Sequence, residues 1–556
     1  MSDDFSAEIY DAIVVGSGAN GGVAAKELGE RGLKVLVLEA GRAVDPQADL
    51  GHPVRDMAKR AYNLAISQRQ SYQAMHPGYW KNNPDLFTDE KDNPYTTPPD
   101  RPFSWIRGRQ VGGKSLTWGG ITLRLSDYEF KAASRDGHER DWPIEYADLA
   151  PYYSKLERFF QVRGDRDGLA QLPDGDYQPT IPLTPGELHL KQVVETKWPD
   201  RKLIASRGFG LNKSTLSAAW PSSSSQGSSL HVAIETGNVT LKSDAVVSHV
   251  IFDPDTHKAT GVEYIDRVNK TTHRVFGRTV ILCASTIESV RILLHSTARY
   301  RSGGLVDRSG LLGRFLMDHV STSTFFFIPG LKPPTKPFAL SGCDSFFIPC
   351  FVNLKSQTED FLRGYGIWGG VQRFDLPGIV RKVGVGSIGF AIAHGEVLPR
   401  FDNRIQLSED VVDAWGIPVP HIECAWSDNE QRMLAHMHAQ IDETIALAGG
   451  KPMKLTEMFR IPLFSELVSK MEHTMSFSAP PGYYIHEVGG ARMGTDPTNS
   501  VVNSHNQCWD APNLFVTDGA CWPSSGWQSP TLTEMAVTAR ACAFIADEIG
   551  KGGFIC

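Results

Sequence analysis

A glycine-rich turn close to the N-terminus constrains the fold of this chain more than any other feature. It lies inside a complete strand–helix–strand unit, whose parts are an apolar strand at 12–15, the glycines Gly16, Gly18 and Gly21, a helical segment at 23–31, a second apolar strand at 34–38 and the terminal acid Glu39. A G-x-G-x-x-G triplet alone is weak evidence, but here the flanking strands, the helix and the acid accompany it. The sequence therefore predicts a dinucleotide-binding α/β domain.

Each glycine has its own physical role in such a unit. Gly16 permits the tight turn, Gly18 leaves space for the backbone to approach a pyrophosphate, and Gly21 lets the helix pack on the strand. The phosphates face the helix N-terminus, where free N–H groups and the helix dipole favour negative charge. Glu39 can accept hydrogen bonds from an adenosine ribose and disfavours a 2′-phosphate. This motif alone leaves FAD and NAD as alternatives.

A second strand–turn–helix unit lies at the opposite end of the 556-residue chain. Residues 514–517 predict a strand, and Asp518 and Gly519 form its turn. An apolar-periodic helix follows at 531–549, with Pro530 at its start. We therefore expect one nucleotide-binding domain assembled from both chain ends, with other material inserted between them.

Composition and charge exclude several other classes of protein. Hydrophobic residues make up 41% of the chain and charged residues 21%, which is ordinary for a globular protein and excludes disorder over most of the length. The net charge of −7 gives no basic face for nucleic acid, and no apolar run is long enough for a transmembrane helix. The eight cysteines are scattered without a C-x-x-C pair, so we expect neither a disulfide framework nor a metal site.

The first residues bear on the location of the protein. Residues 1–9 are acidic and lead directly into a strand pattern, without the basic region and apolar core of a secretory signal. We therefore expect a cytoplasmic protein, which would be periplasmic only if it were exported together with a partner subunit.

Several separated blocks together resemble the glucose–methanol–choline (GMC) oxidoreductases, a family of flavoenzymes that oxidise alcohols and sugars. Besides the two chain ends, the similar blocks are residues 108–120, 141–153 and 279–291. Residues 401–421 look most like the bacterial sugar dehydrogenase branch, which includes glucoside 3-dehydrogenases, gluconate dehydrogenases and, more remotely, pyranose oxidases. The resemblance covers nearly the whole chain.

The resemblance implies an α/β fold with two domains. A Rossmann-like FAD-binding domain, assembled from discontinuous segments, is joined to an α+β substrate domain that contains an antiparallel sheet. The expected segments are 1–150, 230–325 and 484–556 for the FAD-binding domain, and 151–229 and 326–483 for the substrate domain. The stretch 72–102, rich in Pro, Asn and aromatic residues, is expected to form a long loop or lid over the site.

The resemblance also decides the cofactor in favour of FAD. The resemblance assigns to FAD binding the residues Gly16, Gly18, Gly21, Glu39, Arg109, Gly112, Gly113, Ser115, Thr117, Trp118, Gly119, Val246, Ala284, Asp518, Gly519, Pro530 and Thr531. In pyranose oxidases a histidine in the loop after Val-Gly-Gly bonds covalently to FAD, whereas this chain has Thr117 at that place. We therefore predict noncovalent FAD.

Alcohol oxidation needs a base for the hydroxyl proton while flavin N5 takes the hydride. Histidine suits this task because its unperturbed pKa, about 6.5, lies near working pH. In the family the base is the histidine of the C-terminal H-x-x-G block, and here that position is His486. The family's second catalytic position is usually His or Asn, but here it is Ser529, whose alternative role is a helix N-cap.

The route of electrons out of the flavin is constrained by the absence of cysteines. Some bacterial sugar dehydrogenases of this type carry an iron–sulfur cluster on closely spaced cysteines, but the equivalent stretch here, 217–229, has none and cannot ligate a cluster. Reduced flavin must therefore pass its electrons to oxygen, a quinone or a redox protein.

These expectations leave three functional hypotheses. The first is an FAD-dependent dehydrogenase or oxidase of a CH–OH group of a sugar or glycoside, with C3 among the candidate positions. The second is oxidation of an allylic or aromatic alcohol, which an apolar, aromatic pocket wall would favour. Trp368 and Phe374 could line a substrate face and stack on the C–H face of a sugar, or they could be core residues. The third is a flavin-binding but inactive partner subunit of a heteromeric enzyme. The presence of Ser529, where the family usually has His or Asn, supports this hypothesis. His319, in an Asp-His block near the domain junction, is interpreted as structural.

Overall fold

A computed structural model of the chain describes residues 8–210, 214–300, 307–373, 386–458, 465–477 and 479–554. Its strands are, in chain order, β1 (Ile9–Val15), β2 (Val35–Leu38), β3 (Ile204–Ala205), β4 (Val239–Lys242), β5 (Ala245–Asp253), β6 (Lys258–Asp266), β7 (Thr272–Leu282), β8 (Val320–Ile328), β9 (Phe346–Ile348), β10 (Tyr365–Val371), β11 (Ser387–Gly395), β12 (Arg404–Val412), β13 (Pro418–Glu423), β14 (Lys451–Pro452), β15 (Gln507–Cys508) and β16 (Ala511–Val516).

The α-helices are α1 (Ala19–Gly29), α2 (Pro46–Asp49), α3 (Pro53–Tyr62), α4 (Pro77–Lys81), α5 (Asp127–Phe130), α6 (Ala132–Asp136), α7 (Tyr146–Phe160), α8 (Pro185–Lys197), α9 (Ser229–Glu235), α10 (Thr286–Arg299), α11 (Asp428–Leu447), α12 (Leu455–Met458), α13 (Ser465–Phe477) and α14 (Thr531–Gly550). Among the helices of the described residues, none has the length and apolar character needed to cross a bilayer.

The larger sheet joins the two ends of the chain. Its strands lie in the order β15-β16-β7-β1-β2-β4, and β5 and β6 extend from β7 as an antiparallel ladder. β1 pairs in parallel with β2 and β7, and β7 pairs in parallel with β16. The C-terminal strand β16 therefore lies two strands away from β1, and the predicted α/β fold is confirmed.

The first glycine turn shifts the start of α1 from its predicted place. The sequence predicts the helix from Val23, but α1 begins at Ala19 with Gly18 as its N-cap. Gly21 lies within the first turn because only hydrogen fits there: a Cβ would overlap the carbonyl oxygen of Gly16. Glycines that look like helix breakers in the sequence are thus helical residues in close contact with the preceding strand.

A second sheet of six strands is antiparallel throughout, in the order β14-β8-β11-β10-β9-β3. Helices α8 and α11 pack on it through Leu190, Ile441 and Ile445, which meet Phe326 and Ile367 of the sheet. The antiparallel sheet expected in the substrate domain is therefore present, while the boundaries proposed for the two domains stay a prediction.

The stretch 72–102 differs from the expected structureless loop. Short helical turns at 73–75, 77–81 and 84–86 surround Tyr79, which is fully buried. Two of these turns begin with proline, preceded by a residue whose side chain caps the turn. The prolines that suggest a loop in the sequence therefore start compact helical turns in the first half of the stretch, whereas 87–102 contains no helix or strand. That the stretch covers the site as a lid stays a prediction.

Candidate active site

The first glycine turn leaves open space where a diphosphate is expected. Gly16 has a φ of +100°, and a Cβ there would overlap the carbonyl of Cys283. At Gly18, by contrast, an added Cβ would meet no atom within 4 Å. The first and third glycines of the motif are thus required by packing within the protein, and the second is bordered by free volume at the N-terminus of α1.

The loop of the second sequence block lies directly over this turn. The backbone N–H of Gly112 donates to Ser17 Oγ over 3.0 Å, and a Cβ on Gly113 would lie 3.4 Å from Gly18 Cα. Ser115 Oγ donates to the Gly112 carbonyl over 2.6 Å and fixes the loop from within. The two glycine-containing segments, distant in sequence, therefore lie in contact beside the open space at Gly18, and this space together with the residues around it is called the groove.

Glu39 closes the groove at the end of β2. Its Oε2 accepts from Ser17 Oγ over 2.6 Å, and its Oε1 accepts from the backbone N–H of Gly41 over 2.8 Å. Burial raises the pKa of this carboxyl above its ordinary value. The carbonyl of Glu39 accepts from the N–H of Ala245, which places the neighbouring Val246 beside it. Hydrogen bonding from Glu39 to an adenosine ribose remains a prediction.

Two helix N-termini converge on the same groove. Asn20, in the first turn of α1, donates to Glu534 in the first turn of α14 over 2.9 Å, and the Oδ1 atom of Asn20 is buried without a partner. The N-terminus of α14 is formed by Pro530 and Thr531, as predicted. Free backbone N–H groups from both helices, an unpartnered buried polar atom and the space at Gly18 fit a bound dinucleotide.

The turn after β16 fixes the segment that follows His486. Asp518 accepts hydrogen bonds from Ser289 Oγ and from the N–H of Ala520, and burial raises its pKa to about 6. The carbonyl of Gly519 accepts from the N–H of Gly489 over 2.8 Å. Asp518 and Gly519, which the sequence assigns to the cofactor, thus anchor the segment that contains His486.

The other residues assigned to FAD lie at the rims of the groove. Arg109 is half-buried, and its guanidinium lies 3.4 Å from Glu288 and over the ring of Trp415. Trp118 donates through its indole N–H to the Ser223 carbonyl over 3.1 Å. The backbone N–H of Ala284 donates to Ser289 Oγ, and the hydroxyl of Thr117 donates to the carbonyl of Lys114. A Cβ on Gly119 would meet no atom within 4 Å. Their contacts with FAD remain predictions.

His486 is held in place by a buried acid. Asp318, 1% exposed, accepts from the N–H of His486 through Oδ1 over 3.0 Å and from the N–H of Gly482 through Oδ2 over 2.6 Å. Burial, together with the charge of Glu487, raises the pKa of Asp318 to about 7. The backbone around His486 is therefore fixed to the segment just before β8, where Met317 also bridges to Val488.

The ring of His486 contacts two further histidines. His486 Nδ1 lies 2.9 Å from His319 Nδ1, and His319 Nε2 lies 2.7 Å from the carbonyl oxygen of Gly526. The ring of His394 lies 5.4 Å from the ring of His486, measured between centroids. His394 Nδ1 is bonded to Ser321 over 2.7 Å. The register of the antiparallel sheet creates this cluster, since His394 on β11 pairs directly with Ser321 on β8.

Burial keeps these imidazoles neutral. It lowers the pKa of His319 to about 4 and the pKa values of His394 and His486 well below 6.5. Removal from water penalises the charged form, and repulsion among the histidines adds to the effect. Near neutral pH, His486 is therefore an unprotonated base.

Aromatic side chains surround the cluster on the side of the antiparallel sheet. The indole N–H of Trp368 donates to His394 Nε2 over 3.0 Å, and the ring of Tyr484 lies 5.1 Å from that of His394. Tyr484 also donates to the carbonyl of Met475 in α13 over 3.2 Å. Trp368 thus lies beside the histidine cluster, and its contact with substrate stays a prediction. Phe374 lies outside the described residues.

Ser529 is half-buried and lies two residues before α14, next to the N-cap residue Pro530. Helix α14 has no side-chain cap, so the alternative role of Ser529 as an N-cap is not what the structure shows. Within the described part of the chain its hydroxyl has no hydrogen-bond partner. The segment containing it passes the histidine pair through the contact between Gly526 and His319. A free hydroxyl at this place can bind a ligand.

The three histidines have nitrogens within 4.8 Å of one another, a spacing that a metal ion could use. However, both nitrogens of His319, both of His394 and Nδ1 of His486 already have hydrogen-bond partners. A cation held by all three would have to break these bonds. The cluster therefore fits a proton-transfer group better than a metal site.

Sequence reasoning missed part of this arrangement. The sequence interprets His319 as structural and does not predict its contact with His486, because the Asp-His block lies far from His486 in the chain. His394 carries no local signal beyond being a polar residue in the apolar run of β11. Its role depends on strand register, which the sequence pattern does not reveal.

Comparison with known proteins agrees with this geometry. Two family models described as GMC oxidoreductase match the chain, one over residues 10–321 and one over residues 399–538. The chain is 26% identical to 2-methyl-1,2-propanediol dehydrogenase of Mycolicibacterium austroafricanum, covering 97% of this chain and 96% of that protein. It is 25% identical to the fructose dehydrogenase large subunit of Gluconobacter japonicus, covering 98% of each.

A solved structure shows the same fold. Pyridoxine 4-oxidase from Mesorbium loti superposes with a TM-score of 0.58 at 17% identity, covering 96% of this chain and 99% of that chain. The glycine turn on the parallel sheet and the neutral His486 beside residues of the antiparallel sheet fit the class that these comparisons show, the flavin-dependent oxidoreductases of CH–OH groups. The chain belongs to the GMC oxidoreductase family, as its motifs predicted.

Proposed function

We propose that the protein oxidises a CH–OH group of a sugar or glycoside, with His486 accepting the hydroxyl proton. The observation that carries this proposal is a neutral imidazole at the junction of the FAD groove and the antiparallel sheet, with Nε2 unbonded among the described residues. Bound FAD supplies the hydride acceptor. The protein itself orients the hydroxyl and removes its proton, while burial of the site excludes bulk water.

The side chains facing His486 support a polyhydroxylated substrate. Trp368 and Tyr484 offer ring faces that can stack on the C–H face of a sugar, as expected for aromatic residues at binding sites. The free hydroxyl of Ser529 can bond a second substrate hydroxyl. The similarity to a fructose dehydrogenase subunit favours the same substrate class.

The aromatic wall also favours a second candidate, an allylic or aromatic alcohol. A flat ring would stack on Trp368 or Tyr484 as readily as a sugar does. Because one relative is a 2-methyl-1,2-propanediol dehydrogenase, a small aliphatic alcohol should also be tested.

A substrate panel tests the proposal. The purified flavoprotein is mixed anaerobically with glycosides, fructose, 2-methyl-1,2-propanediol and aryl alcohols, and loss of flavin absorbance is recorded. We expect bleaching by sugars or glycosides, with product analysis identifying the carbon oxidised, C3 included. Bleaching by aryl alcohols alone would replace the first candidate with the second, and no bleaching by any alcohol unless a homologous subunit is added would favour a partner-subunit role.

The same preparation tests the cofactor link and the electron acceptor. We propose that FAD is noncovalent, since Thr117 stands where the covalently linked oxidases have a histidine; acid precipitation should release FAD into the supernatant. Oxygen, quinone analogues and redox dyes then compete as acceptors of the reduced enzyme. Similarity to a large subunit makes a partner protein a candidate acceptor, to be sought by co-purification from the source cells.

A further inference from the structure

The donors and acceptors around His319 fix which of its nitrogens carries hydrogen. A carbonyl oxygen only accepts, so the 2.7 Å contact with Gly526 requires hydrogen on His319 Nε2. Because burial lowers the pKa of His319 to about 4, the ring is neutral near pH 7 and its Nδ1 is an acceptor. In the 2.9 Å contact between the two Nδ1 atoms, His486 is therefore the donor.

We infer that His319 is a positioning residue for the base: it holds the Nδ1 hydrogen of His486 and leaves the lone pair of His486 Nε2 to the substrate. The inference rests on the proposed function, since it names the atom that takes the proton. The substrate O–H bond breaks and an N–H bond forms at Nε2, while the carbinol hydride leaves with its electron pair for the bound flavin. The resulting imidazolium keeps its bond to His319, so the ring need not rotate.

His394 cannot take this role. An indole N–H only donates, so the 3.0 Å contact from Trp368 leaves no hydrogen on His394 Nε2. The hydrogen of His394 is then on Nδ1 and is donated to Ser321 over 2.7 Å. Both nitrogens of His394 are thus engaged, and Nε2 of His486 is the nitrogen of the cluster without a partner in the described residues.

The test variants separate the two bonds of His319. His319→Asn keeps an acceptor near the position of Nδ1, His319→Gln keeps a donor near the position of Nε2, and His319→Leu keeps neither. We expect flavin reduction within about threefold of wild type in the Asn variant, and at least about tenfold slower in the Gln and Leu variants, with substrate affinity little changed. Equal rates in the Asn and Leu variants would overturn the inference.

A control measures the general cost of losing a histidine–carbonyl bond. His189 lies 3.0 Å through Nε2 from the carbonyl of Ala448, at the end of α11. His189→Asn removes this bond without touching the histidine cluster. Its FAD content, thermal midpoint and rate of flavin reduction set the baseline against which the His319 variants are read.

The pH profile gives a readout that a merely structural role would not move. The titratable or charged groups around His486 are His319, His394, His76, Lys114, Asp318 and Glu487. His319 repels protonated His486, and so lowers its pKa, only when His319 is itself protonated, which its own pKa of about 4 restricts to acid pH. The neutral ring of His319 instead accepts at Nδ1 and stabilises protonated His486, so loss of this acceptor in His319→Leu should move the acid limb of the rate profile to lower pH. The Asn variant should keep the wild-type limb, and an unmoved limb in the Leu variant would contradict the inference.

A spectroscopic readout is independent of turnover. In ¹⁵N-histidine-labelled holoprotein at pH 7, we expect His486 to carry hydrogen on Nδ1 and none on Nε2, with its signal assigned by loss in His486→Ala. Hydrogen on Nε2 of His486 would overturn the inference even if every kinetic variant folded poorly. If no alcohol reduces the flavin but this tautomer is found, the proposed function fails while the positioning by His319 stands.

Discussion

At the scale of single residues, burial without a counter-ion sets the protonation of this site. The pKa of His319 falls to about 4 and that of His76 also to about 4, whereas the pKa of Asp318 rises to about 7 and that of Glu534 to about 7. Desolvation is the largest cause at each of these groups. Near neutral pH the histidines are therefore free bases, and the acids hold protons that they would lose in water.

The raised pKa of Glu534 predicts how the stability of the folded protein changes with pH. Its folded-state pKa is raised from 4.5 to about 7, so between these values the folded protein holds a proton that the unfolded chain releases. Stability should therefore fall as pH rises through this window, by up to about 3 kcal/mol. Glu534→Gln does not titrate and can still accept from Asn20, so urea unfolding at pH 5 and pH 7 should show a smaller loss in this variant than in wild type. An equal loss would show that Glu534 is ionised throughout.

Ser529 gives a second prediction at this scale. Its hydroxyl has no partner within the described residues, so Ser529→Ala should leave the thermal midpoint unchanged. If the hydroxyl binds substrate, the variant should lose about 1 kcal/mol of binding, or roughly fivefold in kcat/KM for flavin reduction. A lowered thermal midpoint with unchanged kcat/KM would assign Ser529 a structural role instead.

At the scale of elements, the contact between β1 and α1 separates two kinds of glycine. A Cβ on Gly21 would overlap the Gly16 carbonyl, whereas a Cβ on Gly18 would meet no atom within 4 Å. Gly21→Ala should therefore destabilise the protein itself by about 1–3 kcal/mol.

Gly18→Ala should instead leave the apoprotein as stable as wild type and weaken FAD binding, because its methyl group enters the volume expected for the diphosphate. Thermal melting of FAD-free protein and titration with FAD distinguish the two variants. Strong destabilisation of the apoprotein by Gly18→Ala would contradict the groove described here.

The elements also show which features the sequence could predict. The β1–α1–β2 unit and the position of His486 are encoded in short spacings, so they were predictable from neighbouring residues. The cluster of His319, His394 and Trp368 depends on the pairing of β8, β10 and β11, strands far apart in the chain. Register between such strands is set by the packing of whole faces, and no short motif records it.

At the scale of the whole molecule, the larger sheet contains strands from both ends of the chain, with β7 between the N-terminal β1 and the C-terminal β16. Asn513 on β16 is fully buried and bonds Ala259 on β6 through both amide atoms, over 2.9 and 2.7 Å, and the carbonyl of Arg278 on β7 over 2.8 Å. Asn513→Ala should cost about 2–4 kcal/mol of unfolding free energy, since it leaves buried backbone groups unpaired.

The neighbouring hairpin offers a matched control for this prediction. Gln507 donates to the Pro512 carbonyl over 2.8 Å at the exposed end of β15. Gln507→Ala should change the free energy of unfolding by less than about 0.5 kcal/mol. If Asn513→Ala were no more destabilised than Gln507→Ala, β16 would not be integral to the sheet.

The role of His486 as the proton acceptor can be tested through the rate of anaerobic flavin reduction in His486→Ala, measured with a substrate that bleaches the wild-type flavin. The variant should bind FAD as fully as wild type, because the groove is formed by other residues. We predict that its flavin is reduced at least about 100-fold more slowly across the pH range. Reduction at a rate close to that of the wild type, with FAD bound, would contradict the assignment of His486 as the proton acceptor.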